Sequence, residues 1–150
     1  MSNNGWSIAD GVVKHIEQFV PRSSKILEFG SGQGTKMLLC LGYTVYSIEE
    51  DERFYKLFHD NYCLAPIKDN WYDLEKVQSF IKDKDFGCLL IDGPAKGERS
   101  KILDAGIDFD KFKIIIVDDI DRQQDDDLFE KMSEGKQTIK EETHGVIFND

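Results

Sequence analysis

The chain has 150 residues, 40% of them hydrophobic, and a formal net charge of −10. This length suits one domain with a sizeable core, so we treat residues 1–150 as a single domain. The excess of acid argues against nucleic acid as a partner, because phosphate backbones are bound by clustered lysine and arginine. No apolar run approaches the ~20 residues that cross a bilayer, and Met1–Gly5 lacks the features of a signal peptide. We therefore predict a cytoplasmic protein without a membrane or nucleic-acid partner.

The first predicted element is an amphipathic helix within residues 1–21. Ser7 and Asp10 have the spacing of a capping box, and the apolar residues that follow recur at helical intervals. The helix is expected to end before Pro21, because proline disfavours helical geometry in the residue that precedes it. Trp6 lies just before the cap. It either packs against the start of the helix or covers a ligand, in which case residues 1–21 form a helix and a lid.

A glycine-rich turn follows the first predicted strand, Ile26–Phe29. The stretch Glu-Phe-Gly-Ser-Gly-Gln-Gly occupies positions 28–34, and a short helical segment follows at 35–41. Glycines allow a tight turn and close approach to a ligand, and the start of a helix presents free N–H groups. A dinucleotide-binding fingerprint would need its third glycine at position 35, where this chain has threonine. A turn with incidental glycines and a site for another nucleotide remain as alternatives.

The glycine spacing, with an acid two residues before the first glycine, closely resembles motif I of the class I S-adenosylmethionine (SAM)-dependent methyltransferases. SAM has a cationic sulfonium and an amino group but no pyrophosphate, so a carboxylate suits its positive end. The resemblance implies that SAM is the cofactor. It also implies that SAM is bound by Glu28, Phe29, Gly30, Ser31, Gly32 and Gly34.

A second acidic position follows the next predicted strand, Thr44–Ile48. Glu49 and Glu50 end this strand, about 20 residues after Gly30, where an acid would accept bonds from ribose hydroxyls. Class I methyltransferases have such an acid, so the resemblance implies that both residues contact the cofactor. Alternatively, both acids only open the next helix, predicted over Asp51–Asn61, where they favour the positive end of its dipole.

The loop after the third predicted strand, Tyr62–Ala65, is a candidate adenine site. In the class I fold this loop borders the adenine ring. The resemblance implies that the amide of Asn70 bonds the adenine edge and that Trp71 stacks on the ring. Trp71 as an aromatic residue of the core is the alternative. The next helix is predicted over 74–81.

Two buried strands are predicted at Gly87–Ile91 and Ile114–Val117, and both end in acids. Asp92 follows the first, and Asp118 and Asp119 follow the second. In the class I strand order the two strands are neighbours, so these carboxylates would repel one another unless a cation lies among them. Oxygen ligands are those that Mg²⁺ prefers. The pattern therefore predicts a Mg²⁺ site formed by all three acids, with helix capping by Asp118 and Asp119 as the alternative.

The three acids resemble the metal sites of catechol-type and macrolide-sugar O-methyltransferases, although Asp119 replaces the asparagine of the catechol group. The segment Ile91–Pro94 with Arg99 downstream, together with Trp71–Asp73, resembles the glucuronoxylan 4-O-methyltransferase group. These resemblances imply methylation of oxygen. They also imply that Asp92 is a catalytic or substrate-orienting group and a neighbour of the cofactor, with or without a metal ion.

The remaining pattern completes an α/β fold. A helix is predicted over 125–133, and two last strands, Gln137–Glu141 and Gly145–Phe148, are predicted to be antiparallel. The alternation of strands and helices predicts a doubly wound, mostly parallel Rossmann-like sheet of about seven strands. The last pair is antiparallel, and helices cover both faces.

We therefore expect a SAM-dependent methyltransferase that acts on the hydroxyl of a sugar or another small acceptor. The alternative is a non-catalytic SAM-binding module or a subunit of a larger complex. The chain leaves little sequence for an acceptor pocket, so the cleft is either open or completed by a second copy in a homo-oligomer. Lys96 and Arg99, in the loop after Asp92, are interpreted as surface charges or as contacts to an anionic acceptor.

Overall fold

Apolar strands alternate with amphipathic helices along most of the chain. The computed structural model describes residues 4–149, and for residues 4–10 it describes the backbone alone. The helices are α1 (Asn4–Phe19), α2 (Gln33–Cys40), α3 (Leu74–Ile81) and α4 (Gln123–Met132), with short 3₁₀ helices at Arg99–Asp104 and Phe109–Lys111. The strands are β1 (Lys25–Phe29), β2 (Thr44–Glu49), β3 (Tyr62–Leu64), β4 (Ile67–Lys68), β5 (Trp71–Tyr72), β6 (Cys88–Ile91), β7 (Ile114–Asp118), β8 (Gln137–Lys140) and β9 (His144–Phe148).

The main sheet of the described chain has seven strands in the order β3-β2-β1-β6-β7-β9-β8. Strands β3, β2, β1, β6 and β7 are mutually parallel, whereas β9 is antiparallel to both β7 and β8. This confirms the predicted doubly wound sheet with an antiparallel last pair. The strand order reverses between β1 and β6, and ligands of such sheets bind at the carboxyl ends of the strands beside that point.

Helices cover both faces of the sheet, as predicted. On one face, α1 and α2 bury an apolar cluster that includes Val13, Ile16 and Leu38. On the other face, α3, the first 3₁₀ helix and α4 bury Val77, Ile102 and Leu128. Strands β6 and β7 are buried along their whole length, which explains why their sequences are continuous apolar runs. Within residues 4–149, no helix is both long and apolar enough to span a membrane.

A hydrogen bond between two histidines ties α1 to the end of the sheet. His15 Nδ1 and His144 Nε2 are 2.8 Å apart, and His144 is buried at the start of β9. Burial, and then the neighbouring His15, lowers the pKa of His144, so a neutral ring is favoured. This contact helps to place α1 over the carboxyl ends of the strands.

One predicted helix is absent, and the predicted start of another is wrong. Residues 51–61 form turns, with Lys56 at a positive φ of 58°. The carboxylate of Asp51 accepts the N–H of Arg53 at 2.9 Å, and such local side-chain bonds compete with helix formation. The first helix begins at Asn4, so Ser7 lies inside it and is not its cap. The prediction for the side chain of Trp6 lies outside the described residues.

The predicted adenine loop is also more ordered than expected. Residues 67–72 form a short antiparallel hairpin, β4–β5, whose turn is made by Asp69 and Asn70 at positive φ. Asparagine and aspartate tolerate this left-handed conformation better than most residues do.

Candidate functional site

A cleft of about 300 Å³ opens at the carboxyl ends of β1, β6 and β7. Six of the predicted site residues line it: Glu28, Gly32, Gly34, Asp92, Asp118 and Asp119. Apolar side chains of α1, α2 and β6 complete the wall: Val12, Val13, Leu38 and Leu90. The N-terminal helix therefore forms part of the cleft, as expected for a covering element, although its action as a lid stays a prediction.

The first glycine of the loop is fixed by its neighbours. Gly30 has φ +91°, and its N–H donates to the carbonyl of Ile48 at 2.8 Å. A Cβ atom at this position would lie 2.5 Å from the carbonyl oxygen of Asp92. Only glycine fits both the left-handed backbone and this contact. The loop after β1 and the loop after β6 are thereby packed directly against each other.

The second glycine is free of such restraints. Gly32 has an extended backbone, with φ 176°, and a Cβ atom there would meet nothing within 4 Å. The direction in which a side chain would project from Gly32 is open, and a bound ligand would need that space. The backbone of this position therefore does not require glycine, and the reason for glycine is the room that it leaves.

Glu28 is buried behind the glycine loop, and a hydrogen-bond network holds its carboxyl group there. Its Oε2 atom accepts the hydroxyl protons of Thr35, at 2.6 Å, and Ser47, at 2.5 Å. Thr35 Oγ1 also accepts the N–H of Gly32 at 3.0 Å, so the network holds the glycine loop. His59 Nε2 lies 2.8 Å from Ser47 Oγ, and because that hydroxyl donates to Glu28, the ring nitrogen must be the donor.

Sequence reasoning missed the two partners of Glu28 and the third member of the network, His59. Ser47 carried the clearest signal, since it is a polar residue in the middle of an otherwise apolar strand. Thr35 stands at the third helical position, where a side chain can bond back to the cap. His59 gave no signal, because it was assigned to a helix that the structure does not contain.

The burial of Glu28 changes its protonation. The side chain is 2% exposed. Burial raises its pKa to about 7, against the opposing effect of the bonds from Ser47 and Thr35, and the nearby charge of Glu49 raises the pKa further. An acid with a raised pKa in the folded state stabilises the fold when it is protonated. That stability is lost as the pH rises through 7.

We therefore expect Glu28→Gln to be more stable than the wild type above pH 7, by up to roughly 3 kcal/mol. The advantage should shrink as the pH falls towards the ordinary range for glutamate, because Glu28 is then neutral as well. Urea denaturation at several pH values measures this difference. Glu52→Gln, which changes an exposed acid of the neighbouring turn, is the control and should show no such trend. A difference for Glu28→Gln that is independent of pH would contradict the argument.

Glu49 is tied to the same loop. It is 6% exposed, and its Oε1 atom accepts the N–H and the hydroxyl of Ser31, at 3.0 and 3.2 Å. Its Oε2 atom accepts the N–H of Asp51 at 2.8 Å. No helix follows within 51–61, so the alternative role as a helix-opening acid does not apply. Glu50 is half-buried, and its Oε1 accepts the N–H of Lys96 at 3.3 Å.

The structure does not bring Asn70 and Trp71 into the cleft. Trp71 is 4% exposed and packs against Phe29 and Tyr72, with ring centroids 5.6 and 5.3 Å away. This is the core position that was the alternative for Trp71, and its contact with adenine stays a prediction. Asn70 is exposed at the hairpin turn, and its carbonyl accepts the N–H of Glu98 at 2.7 Å.

The three predicted metal ligands do lie together. Asp92, Asp118 and Asp119 each offer a carboxylate oxygen, and these oxygens lie within 4.8 Å of one another. Burial and then repulsion by Asp119 raise the pKa of Asp118 to about 6. Withdrawal from water and then repulsion by Asp118 and Asp119 raise the pKa of Asp92 well above its usual value. The side chain of Asp92 is still 43% exposed, so it remains accessible from the cleft.

A guanidinium group lies among these acids. The Arg99 side chain is only 10% exposed, and its Nη1 atom is 2.9 Å from Asp119 Oδ2 and 3.6 Å from Asp125 Oδ1. Its Nη2 atom is 3.9 Å from Asp92 Oδ1. The interpretation of Arg99 as a surface charge is therefore wrong, because its side chain is largely buried and its charge is directed at the protein's own carboxylates. Its contact with an anionic acceptor stays a prediction. Lys96, by contrast, is exposed.

Neither a protein-family model nor a curated protein sequence matches the chain. Solved structures do match the chain. The MycE methyltransferase of the mycinamycin biosynthetic pathway, in complex with Mg and SAH, is 11% identical with a TM-score of 0.61 over 94% of this chain. The chain spans 45% of the length of that protein. A TehB-like SAM-dependent methyltransferase from Corynebacterium glutamicum is 17% identical with a TM-score of 0.56, over 93% of this chain and 88% of that one.

These similarities concern the fold, because both identities are low. They agree with the strand order and with the antiparallel last pair of the sheet. The chain therefore has the fold of the class I SAM-dependent methyltransferases.

Proposed function

We propose that the protein is a SAM-dependent methyltransferase that methylates a hydroxyl group of a sugar or another small acceptor. The observation that carries the proposal is the glycine loop and its surroundings. Hydrogen bonds to Glu28 and Glu49 hold this loop from behind. The loop also packs against the loop that carries Asp92. The glycine loop and Asp92 therefore line the same cleft. The net charge of −10 supports a small-molecule or glycan acceptor over nucleic acid.

The residues present fit SAM. The buried carboxyl of Glu28 offers a negative charge to a cationic ligand, whose approach would favour the ionised form. The open space beside Gly32 accommodates the body of a ligand. Glu49 offers its remaining carboxylate lone pairs to ribose hydroxyls. Asn70 lies outside the cleft, so a bond from its amide to the adenine edge requires a ligand that extends to the β4–β5 turn. When bound, SAM supplies a methyl group that its sulfonium already activates.

Asp92 acts as the general base in this proposal. An alcohol hydroxyl has a pKa far above 7, so it needs a group that takes its proton during attack. A carboxylate with a raised pKa is a stronger base than an ordinary aspartate, and perturbed acids of this kind cluster at functional sites. Asp92 combines this property with exposure to the cleft.

The acceptor lies in an open cleft in this proposal. The described residues beyond α1 are nearly all used by the sheet and its covering helices, so little chain remains for a cap. A long acceptor such as a glycan fits an open cleft, and a second copy of the chain is the other way to complete the wall. MycE was solved with Mg. A cation held by Asp92, Asp118 and Asp119 would be the alternative way to activate the acceptor, but the two arginines on Asp119 oppose it.

A SAM-binding module without its own activity is the competing function. Such a module would need the loop, Glu28 and Glu49, but it would have no use for clustered acids beside the ligand. The close approach of Asp92, Asp118 and Asp119 therefore favours an enzyme.

Thermal shift tests the ligand class directly. SAM and S-adenosylhomocysteine at about 100 times their Kd should raise the melting temperature by roughly 5–10 °C, because a ligand that binds only the folded state adds about 2.7 kcal/mol at that excess. NAD at the same concentration should have no effect. Stabilisation by NAD and none by SAM would overturn the proposed function.

A further inference from the structure

We propose that Arg99 is the resident cation of the acidic cluster, which we define as Asp92, Asp118, Asp119 and Asp125. In this role its guanidinium supplies the positive charge that the sequence pattern assigned to Mg²⁺. Arg99 then supplies a positive charge that faces Asp92 at 3.9 Å, and the site works without a divalent ion. The importance of this role for catalysis rests on the proposed function, but the preference for a guanidinium over a metal does not.

The contacts of Arg99 span the whole width of the cluster. It reaches Asp119 at 2.9 Å, Asp125 at 3.6 Å and Asp92 at 3.9 Å, which joins the loop after β6 to the end of β7 and to α4. A second arginine, Arg122, lies 2.6 Å from Asp119 and 3.7 Å from Asp125. The two arginines therefore provide two positive charges for four carboxyl groups, and only Arg99 contacts Asp92.

Burial makes this arrangement difficult to rearrange. Arg99 is 10% exposed and Asp125 is 2% exposed, and a buried charge is tolerated only when it is paired. Arginine keeps its charge at every accessible pH, so the guanidinium cannot be neutralised in place. If Arg99 moved out of the cluster, the buried carboxylate of Asp125 would keep only Arg122 beside it, at 3.7 Å.

Two of the carboxylate oxygens that a metal ion could use are already engaged, one on Asp119 and one on Asp118. Asp119 Oδ2 contacts both arginines, at 2.9 and 2.6 Å. Asp118 Oδ1 accepts the N–H of Asp119 at 2.9 Å. Mg²⁺ requires oxygens at 2.0–2.1 Å in near-octahedral geometry, and a dication at that distance from Asp119 Oδ2 would lie beside the guanidinium of Arg99. The spacing of the three aspartates suits an ion, whereas the guanidinium beside Asp119 and the engaged oxygens oppose one.

Direct binding of Mn²⁺, followed by electron paramagnetic resonance, tests this inference without any methyl transfer. The wild type should bind Mn²⁺ at the cluster no more tightly than millimolar Kd. Arg99→Gln should bind at least tenfold more tightly, since it frees Asp119 and removes the repelling charge. Arg99→Lys keeps the charge and should remain close to the wild type. Arg122→Gln is the matched control: it removes an equal charge from Asp119 but none from Asp92, and its gain should be smaller.

The double variant Arg99→Gln with Asp125→Asn guards against misfolding, because it also removes the buried carboxylate that loses its contact with Arg99. It should show the same gain in Mn²⁺ affinity. Micromolar Mn²⁺ binding by the wild type would overturn the inference, and so would an Arg99→Gln variant that binds Mn²⁺ no more tightly than the wild type does. The thermal shift by SAM is measured separately on each variant, so a failure of the proposed function is distinguished from a failure of this inference.

Discussion

Gly30→Ala should destabilise the protein by about 3–5 kcal/mol, because it combines backbone strain with overpacking. The residue has φ +91°, and the added methyl group would lie 2.5 Å from the carbonyl oxygen of Asp92. That oxygen belongs to the backbone and cannot turn away as a flexible side chain could. The loss would be a large part of the 5–15 kcal/mol that stabilises a typical domain. Urea denaturation measures it.

Gly32→Ala is the matched control in the same loop, and it should separate stability from binding. Its extended backbone suits any residue, and the methyl group would enter open space, so the loss of stability should stay within about 1 kcal/mol. Affinity for SAM should nevertheless fall at least tenfold, because the methyl group occupies room that the ligand needs. If Gly32→Ala binds SAM as well as the wild type does, the ligand does not lie against this loop.

Asp92→Asn should lower kcat by about 10²–10⁴-fold, the usual contribution of a general base. Asparagine has nearly the same shape but cannot accept the proton of an acceptor hydroxyl. Affinity for SAM, measured by thermal shift, should change little. The rate is measured as formation of S-adenosylhomocysteine with a panel of glycans and small alcohols as acceptors.

Glu98→Gln is the control for Asp92→Asn, since Glu98 is an exposed acid of the same loop. It should leave kcat within about twofold of the wild type, as expected for an exposed residue outside the site. Equal activity of Asp92→Asn and the wild type would remove Asp92 from the mechanism. A wild type that binds SAM but methylates no acceptor would favour the non-catalytic module.

The strand pattern was predictable because it is a local property of the chain. Continuous apolar runs at Gly87–Ile91 and Ile114–Val117 indicated strands that are buried on both faces, and the structure contains both with shifts of at most one residue at their ends. Helix prediction failed where it relied on periodicity alone. The apolar residues within 51–61 recur at helical spacing, but the side chain of Asp51 bonds its own backbone and the segment turns instead.

The positions of the acids were also predictable, because a residue that follows a parallel strand must lie at the carboxyl edge of the sheet. Glu28, Glu49, Asp92 and Asp118 were placed there by their sequence context, and they lie there. Their surroundings were not predictable. The bonds from Ser47 to Glu28 and from Ser31 to Glu49 connect residues 19 and 18 positions apart, so they depend on which strands become neighbours.

The sequence by itself determined the order of elements, the glycine loop and the edge on which the acids gather, because each follows from patterns within one strand or one turn. Only the tertiary structure decided which charge neutralises those acids. Arg99 and Asp119 are 20 residues apart, and their contact at 2.9 Å exists because the loop after β6 folds over the end of β7. A repulsive cluster of carboxylates is evident from the sequence. Whether a metal ion or an arginine relieves the repulsion depends on side-chain packing, which no local pattern encodes.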